Sequence, residues 1–195
     1  VDGIDVASAG ELAVARAAGA RHVSFAGPGK RDTELAAAIA ADIVINLESE
    51  TELERALALA QRSGRTPRLA VRVNPDFDLK ASGMKMGGGA AAFGIDAERV
   101  PALVRRIVAA EAGFSGFHIF AGSQNLRADL IAEAQAETVA LAARLAEAAG
   151  VSPPLVNLGG GFGIPYFPGD VALDIAHIGS ALADTLAARP AVLAD

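Results

Sequence analysis

Apolar positions along the chain follow two alternating periods. Short runs rich in Val, Ile, Leu and Phe read as strands, because they are brief, β-branched or aromatic, and bounded by turn residues. They lie at Gly3 to Ala7, His22 to Ala26, Asp42 to Leu47, Arg68 to Asn74, Phe114 to Phe120 and Leu155 to Leu158. Between them, Ala- and Leu-rich stretches repeat apolar residues at the spacing of one helical face. This predicts helices at Gly10 to Ala18, Asp32 to Ala40, Thr51 to Arg62, Asp96 to Glu111, Ala128 to Ala149 and Val171 to Ala188. Ser8 precedes Glu11, and Ser49 precedes Glu52, at the spacing of a capping box, in which two orphan backbone donors are satisfied reciprocally. Gly19, Gly64, Gly113 and Gly150 follow helical runs, where a left-handed residue is wanted and a Cβ would clash.

Strand and helix in alternation predict an α/β fold with a mostly parallel sheet, since each parallel connection needs a crossover. A complete eight-stranded barrel takes about 250 residues, whereas this chain offers six βα units in 195. A partial (β/α)8 TIM-type barrel fits that arithmetic. A doubly wound open sheet fits the spacing equally well.

Composition narrows the function classes. The chain is 52% hydrophobic, carries a formal net charge of -6 and has no Cys, which predicts one folded domain over residues 1–195 and excludes disulfides, thiolate metal sites and a Cys nucleophile. There is no basic stripe with stacking aromatics for a nucleic-acid partner. No run approaches the roughly 18 apolar residues of a membrane span, so a soluble, cytoplasmic protein is expected. The first residue is Val1, not Met, and lies next to a strand-like run, which suggests a piece of a longer chain.

In either sheet architecture ligands gather at the C-terminal ends of the strands. The residues there are Asp5 and Ser8, Gly27-Pro28-Gly29-Lys30, Glu48-Ser49, Arg72 and Asn74, His118 through Gln124, and Asn157 through Gly163. The run Gly159-Gly160-Gly161-Phe162-Gly163 carries the strongest signal, because consecutive glycines let backbone N–H groups converge on an anion. It reads as a phosphate cradle or as a tight turn packing a helix on the sheet. It has neither a Walker lysine nor the spacing of a dinucleotide fingerprint.

Arg72 sits in an otherwise apolar strand, where an unpaired guanidinium is costly. It needs an anionic ligand or a carboxylate, with Asp5 and Glu48 as candidates. Ser123 either adds a donor to the same anion or caps the next helix. His118 is either an interior or a site histidine, and Glu11 reads as a cap. His22, His118 and His177 lack the paired spacing of a metal site, so no metal is expected. Gly83-Met84-Lys85-Met86-Gly87-Gly88-Gly89 reads as an active-site lid or a solvated insertion.

Taken in order, seven segments resemble the pyridoxal-phosphate-dependent decarboxylases of the ornithine, diaminopimelate and arginine type, which have an alanine-racemase-like barrel. They are Gly3 to Ser8 with Gly10-Glu11-Leu12, Gly27 to Lys30, Glu48-Ser49, Arg72-Val73-Asn74-Pro75, Phe93-Gly94-Ile95, Gly122-Ser123-Gln124, and Asn157 to Gly163. The wording of Gly83 to Gly89 and of Gly116 to Gln124 is similar to the subgroup associated with exosortase gene clusters.

This resemblance implies a carboxy-lyase with pyridoxal 5'-phosphate as cofactor, a small-molecule amino-acid substrate and a homodimer. A non-catalytic cofactor-binding or interaction barrel and a racemase of the same fold are the alternatives. It implies that the first strand, the last strand and a C-terminal β domain lie outside these residues. The Gly-rich strand then becomes the seventh, where barrels favour phosphate sites, and the barrel leads over the open sheet.

The roles it implies are cofactor contacts from Arg72, His118, Phe120, Ser123, Gly159, Gly160 and Gly161, with Asp5 and Glu11 in support. Phe120 stands where many members have a histidine, so it can stack but supplies no proton. The lysine that members attach to the cofactor is not in this chain, because Lys30, Lys80 and Lys85 lie outside its motif. The isolated segment is therefore expected to be inactive.

Overall fold

The structure is a computed structural model that describes residues 3–77, 84–85 and 92–193. Six strands carry the main sheet: β1 (Gly3–Val6), β2 (His22–Phe25), β3 (Val44–Leu47), β4 (Arg68–Asn74), β7 (Gly113–Ile119) and β9 (Val156–Asn157). Each is followed by a helix: α1 (Ala9–Ala17), α2 (Asp32–Ala40), α3 (Glu50–Ser63), α4 (Val100–Ala109), α5 (Ala128–Ala149) and α6 (Ile175–Ala187). All six βα units are therefore present. Three two-residue strands add to them: β6 (Ile95–Asp96) runs parallel beside β4, while β5 (Met84–Lys85) and β8 (Gly122–Ser123) pair antiparallel.

The six main strands lie side by side in chain order and all run parallel. A doubly wound sheet reverses its strand order midway, and this one does not. Its curl is equally plain. Six flat strands would hold the first and last about 24 Å apart, at about 4.8 Å per gap, yet Asn157 Nδ2 on β9 donates to Asp5 Oδ2 on β1 at 3.2 Å. The sheet is a half-barrel.

Strand alternation sorts the two faces. Val6, Phe25, Ile45, Leu47, Leu69, Val71, Val73, Phe117 and Ile119 point outward into one core. There they meet Leu12, Leu35, Leu53, Leu103, Ile107 and Leu141 from the helices. Burying each such side chain contributes about 1.5–3 kcal/mol, so the outer face holds the fold and leaves the inner face free for polar groups.

Several predicted boundaries shift for local reasons. Gly113 begins β7 and does not cap α4; the left-handed residue after that helix is Glu111, at φ 54°. Gly19, Gly64 and Gly150 do take positive φ, at 77°, 63° and 74°. The helix expected from Asp96 starts at Val100, because Asp96 pairs with Asn74 on β4 and accepts from its Nδ2 at 2.8 Å. The helix expected from Val171 starts after Asp174, whose carboxylate caps it by accepting from the His177 amide at 2.9 Å.

Both predicted capping boxes form with one change. Ser8 and Ser49 accept from the amides of Glu11 and Glu52, at 3.2 and 3.1 Å. The glutamates, however, reach one residue past the cap, to the amides of Ala7 at 2.6 Å and Glu48 at 2.8 Å. Of the run proposed as a lid, only the backbone of Met84 and Lys85 is described; Gly83 and Met86 to Gly89 lie outside the described residues. Among the described residues, no helix is long and apolar enough to cross a membrane, and no His, Cys, Asp and Glu cluster could hold a metal.

Candidate active site

The inner wall of the half-barrel carries a belt of polar side chains, because the strand period sends every second residue inward. Asn46 Nδ2 donates to Ser24 Oγ at 3.0 Å, Ser24 Oγ donates to Asp5 Oδ1, and Asp5 Oδ2 accepts from Asn157 at 3.2 Å. The belt continues by register, with Asn157 beside His118 and His118 beside Arg72. His118 is buried, and among the described residues its Nδ1 is shielded from solvent without a hydrogen-bond partner. Burial lowers its pKa against the opposing pull of Asp5, so the ring is neutral near pH 7. Below the belt the concave face opens as a trough of about 730 Å³ toward the N-terminal strand ends, away from the rim where the charged groups collect.

On the rim beyond β2, β3 and β4, four charges are buried together. Arg72 Nη1 donates to Glu48 Oε1 at 3.0 Å, which identifies Glu48, not Asp5, as its carboxylate. The guanidinium carbon also lies 4.9 Å from the centre of the Phe93 ring, within cation–π range. Glu48 further accepts from the amide of Gly27 and, at 3.1 Å, from that of Gly94. Gly94 has φ 78°, and a Cβ there would sit 2.8 Å from the Asn74 nitrogen, so only glycine lets this loop approach β4.

Behind Glu48, Lys30 Nζ donates to Gly27 O at 2.6 Å, Asn46 O at 2.8 Å and Glu52 Oε1 at 3.1 Å, so all three of its protons have acceptors. Burial lowers the Lys30 pKa and raises that of Glu52, each opposed by the other's charge.

The rim beyond β7 and β9 is built from backbone. Gly161 O accepts from the Asn125 amide at 2.9 Å, and Asn125 O accepts from the Gly163 amide at 2.9 Å, which stitches the glycine strap to the loop after β8. The Gly159 amide is taken by Asn157 Oδ1 at 2.9 Å. Among the described residues, the amides of Gly160 and Gly161 donate to no protein acceptor. Side chains are excluded where the strap crosses its neighbours. A Cβ on Gly159 would come within 2.6 Å of the Phe120 ring, and one on Gly161 within 2.3 Å of Gly122 O. Ser123 Cα is 3.7 Å from that same Gly161 Cβ position.

Phe120, Ser123 and the three glycines are thus brought together. Arg72 and His118 are neighbours on the adjoining wall, and Asp5 reaches the group through Asn157. Glu11 stands apart: its carboxylate closes the turn between β1 and α1. Sequence reasoning passed over Ser24, Asn46 and Asn125, and read Glu52 only as part of a capping box. The first two were legible as inward positions of short strands, but Asn125 carries no periodic signal, because its role lies in loop-to-loop pairing.

A chain-ordered parallel half-barrel with polar residues inside and open glycine amides on its C-terminal rim is part of a (β/α) barrel domain. The family model described as "Pyridoxal-dependent decarboxylase, pyridoxal binding domain" matches residues 2–192. The chain belongs to that family, whose cofactor is pyridoxal phosphate.

Among curated relatives, it is 41% identical over 186 residues to L-glutamyl-[BtrI acyl-carrier protein] decarboxylase of Niallia circulans, covering 93% of this chain and 44% of that protein. It is 34% identical over 179 residues to diaminopimelate decarboxylase of Aquifex aeolicus, covering 86% and 41%. The crystal structure of diaminopimelate decarboxylase from Helicobacter pylori complexed with L-lysine superposes with a TM-score of 0.83 at 26% identity, covering 95% of this chain and 48% of that one. The chain therefore spans about half the length of the proteins it matches. The strap suits the phosphate end of such a cofactor, since it pairs open amides with positions where a side chain would collide.

Proposed function

We propose that this chain holds pyridoxal 5'-phosphate by its phosphate, in the Gly159–Gly161 strap, and that the whole protein removes the α-carboxylate of an amino acid as carbon dioxide. The observation that carries this reading is the pair of open amides at Gly160 and Gly161, set beside Ser123 and walled by Phe120. Backbone donors in a glycine turn bind an anion without the cost of ordering side chains. When bound, the cofactor supplies the electron sink that makes loss of the carboxylate feasible.

The protein's own residues bind and orient. Ser123, beside Gly161, would add its hydroxyl to the phosphate, and Phe120 offers a ring face but no proton. His118 stays neutral, so it adds no charge beside Arg72. Arg72 approaches the cofactor from the neighbouring wall, and Asp5 is oriented for the same mouth by Ser24 and Asn157. Glu11 supports the site indirectly, by fixing the turn that follows Asp5. Lys30, fully engaged by Glu52 and two carbonyls, is not the covalent anchor. Homodimerisation belongs to the same reading.

The test compares pyridoxal 5'-phosphate with pyridoxal in the whole protein. The phosphate form is expected to bind at least about a hundredfold more tightly, as several charge-assisted hydrogen bonds require. In Gly161→Ala that preference collapses. Equal affinity for the two compounds in the unaltered protein would overturn the reading.

A second reading of the substrate rests on the relatives: identity is higher to the enzyme acting on a carrier-bound glutamyl group than to the diaminopimelate enzyme, 41% against 34%. It has the amino acid presented on an acyl-carrier protein. Carbon dioxide release from a carrier thioester but not from free amino acids supports it, and the reverse pattern rejects it.

A further inference from the structure

We propose that Glu48 is a positioning residue of the cofactor site, acting through Arg72; this rests on the reading of Arg72 as a cofactor contact. The Glu48 side chain is 2% exposed and is held from two directions, by the Gly27 amide after β2 and the Gly94 amide before β6. A carboxylate pinned by two backbone donors cannot follow its partner, so the partner is fixed by it. Arg72 gives Glu48 one Nη1 bond at 3.0 Å and is backed by the Phe93 ring. The remaining donors of its fork, on Nε and Nη2, meet no acceptor among the described residues, and neither atom is counted among the buried, unpartnered ones. The planar guanidinium carries five N–H donors in a fixed fork, more than one carboxylate can use. Here one edge is anchored and the other is left for a ligand on the inner wall, where Arg72 stands beside His118. Glu52 buttresses the arrangement from behind by accepting the Glu48 amide at 2.8 Å while holding Lys30.

The test is a double-mutant cycle on the whole protein, with the dissociation constant of pyridoxal 5'-phosphate for the apoenzyme as readout. Glu48→Gln and Arg72→Gln are each expected to weaken binding about tenfold, and the double variant no further, because both act through one contact. Leu103→Ala, which opens a cavity in the outer core away from the inner wall, lowers the melting temperature but leaves the dissociation constant within about twofold. Normal cofactor affinity in Glu48→Gln together with weakened affinity in Arg72→Gln would overturn the positioning role alone. Normal affinity in both would overturn the Arg72 reading and the inference with it. Glu48→Asp, which keeps the charge but withdraws it by one methylene, applies the same criterion if the Gln variant does not fold.

Discussion

The two halves of the barrel rim solve opposite problems. Around β2, β3 and β4 the rim is charged and closed: Lys30, Glu52 and Glu48 spend their polar atoms on one another and on nearby backbone, and only one edge of Arg72 is left over. Around β7 and β9 the rim is nearly uncharged and open. There the Gly160 and Gly161 amides, His118 Nδ1 and Asn125 Nδ2 lack protein partners among the described residues. A buried nitrogen without a partner, as at His118 and Asn125, is costly, and a fold keeps it where a ligand or a neighbouring element repays the cost. The closed half makes the scaffold rigid, and the open half holds the donors that the proposed cofactor phosphate would use.

The largest effect expected from breaking the closed half is that of Lys30→Met. It leaves Glu52 buried without its cation and destabilises the protein by about 3–5 kcal/mol, which chemical denaturation of the whole protein measures. Adding Glu52→Gln should recover much of the loss; no recovery would mean that the lysine matters for packing and not for charge.

On the open half, Gly161→Ala forces a Cβ to within 2.3 Å of Gly122 O at φ 79°. It is expected to cost about 1–3 kcal/mol as well as the preference for the phosphorylated cofactor. Gly160→Ala is the control, since its Cβ meets nothing closer than 3.8 Å; a loss within about 1 kcal/mol is expected.

Glu34 sharpens the comparison at lower cost. Its carboxylate accepts from the amides of Arg31 at 3.0 Å and Ala9 at 3.2 Å, tying the starts of α2 and α1 together, and these bonds push its pKa down to about 2. A depressed carboxylate contributes stability above its unfolded pKa and loses it as the pH falls. The window therefore runs from about 4.5 down to about 2. Glu34→Gln should cost about 1 kcal/mol near pH 7 and flatten the acid limb of the stability profile in that window; an unchanged limb would refute the assignment.

The smallest effect is predicted for His118→Phe, within about 1 kcal/mol near pH 7, because a ring nitrogen without a partner contributes nothing by its removal. The lowered pKa of His118 also means that acid favours the unfolded chain, which takes up the proton first, below about 6.5. The variant should lose that component of the pH dependence. A loss above about 2 kcal/mol would mean that His118 has a strong partner after all.

Much of this was legible in the chain itself. Six strands and six helices followed from periodicity, and the glycine strap, Ser123 and Arg72 were singled out because a polar or side-chain-free residue at a strand end contradicts its apolar surroundings. The choice between Asp5 and Glu48 as the partner of Arg72 was not legible, since both lie at strand ends and spacing does not say which way the rims lean. The start of α4 was missed because the hydrophobic period runs on through Asp96, whereas its pairing with Asn74 holds that residue extended.

What the sequence alone determined is what depends on near neighbours: the alternation of elements, the serine caps, and the glycines placed where the backbone turns or comes close to another segment. Only the tertiary structure decided that the sheet curls far enough for Asp5 to meet Asn157, that Glu48 anchors Arg72, and that Asn125 joins two loops. Those contacts span 24 to 152 positions along the chain. Their geometry comes from the accumulated twist and packing of whole layers, which no local pattern encodes.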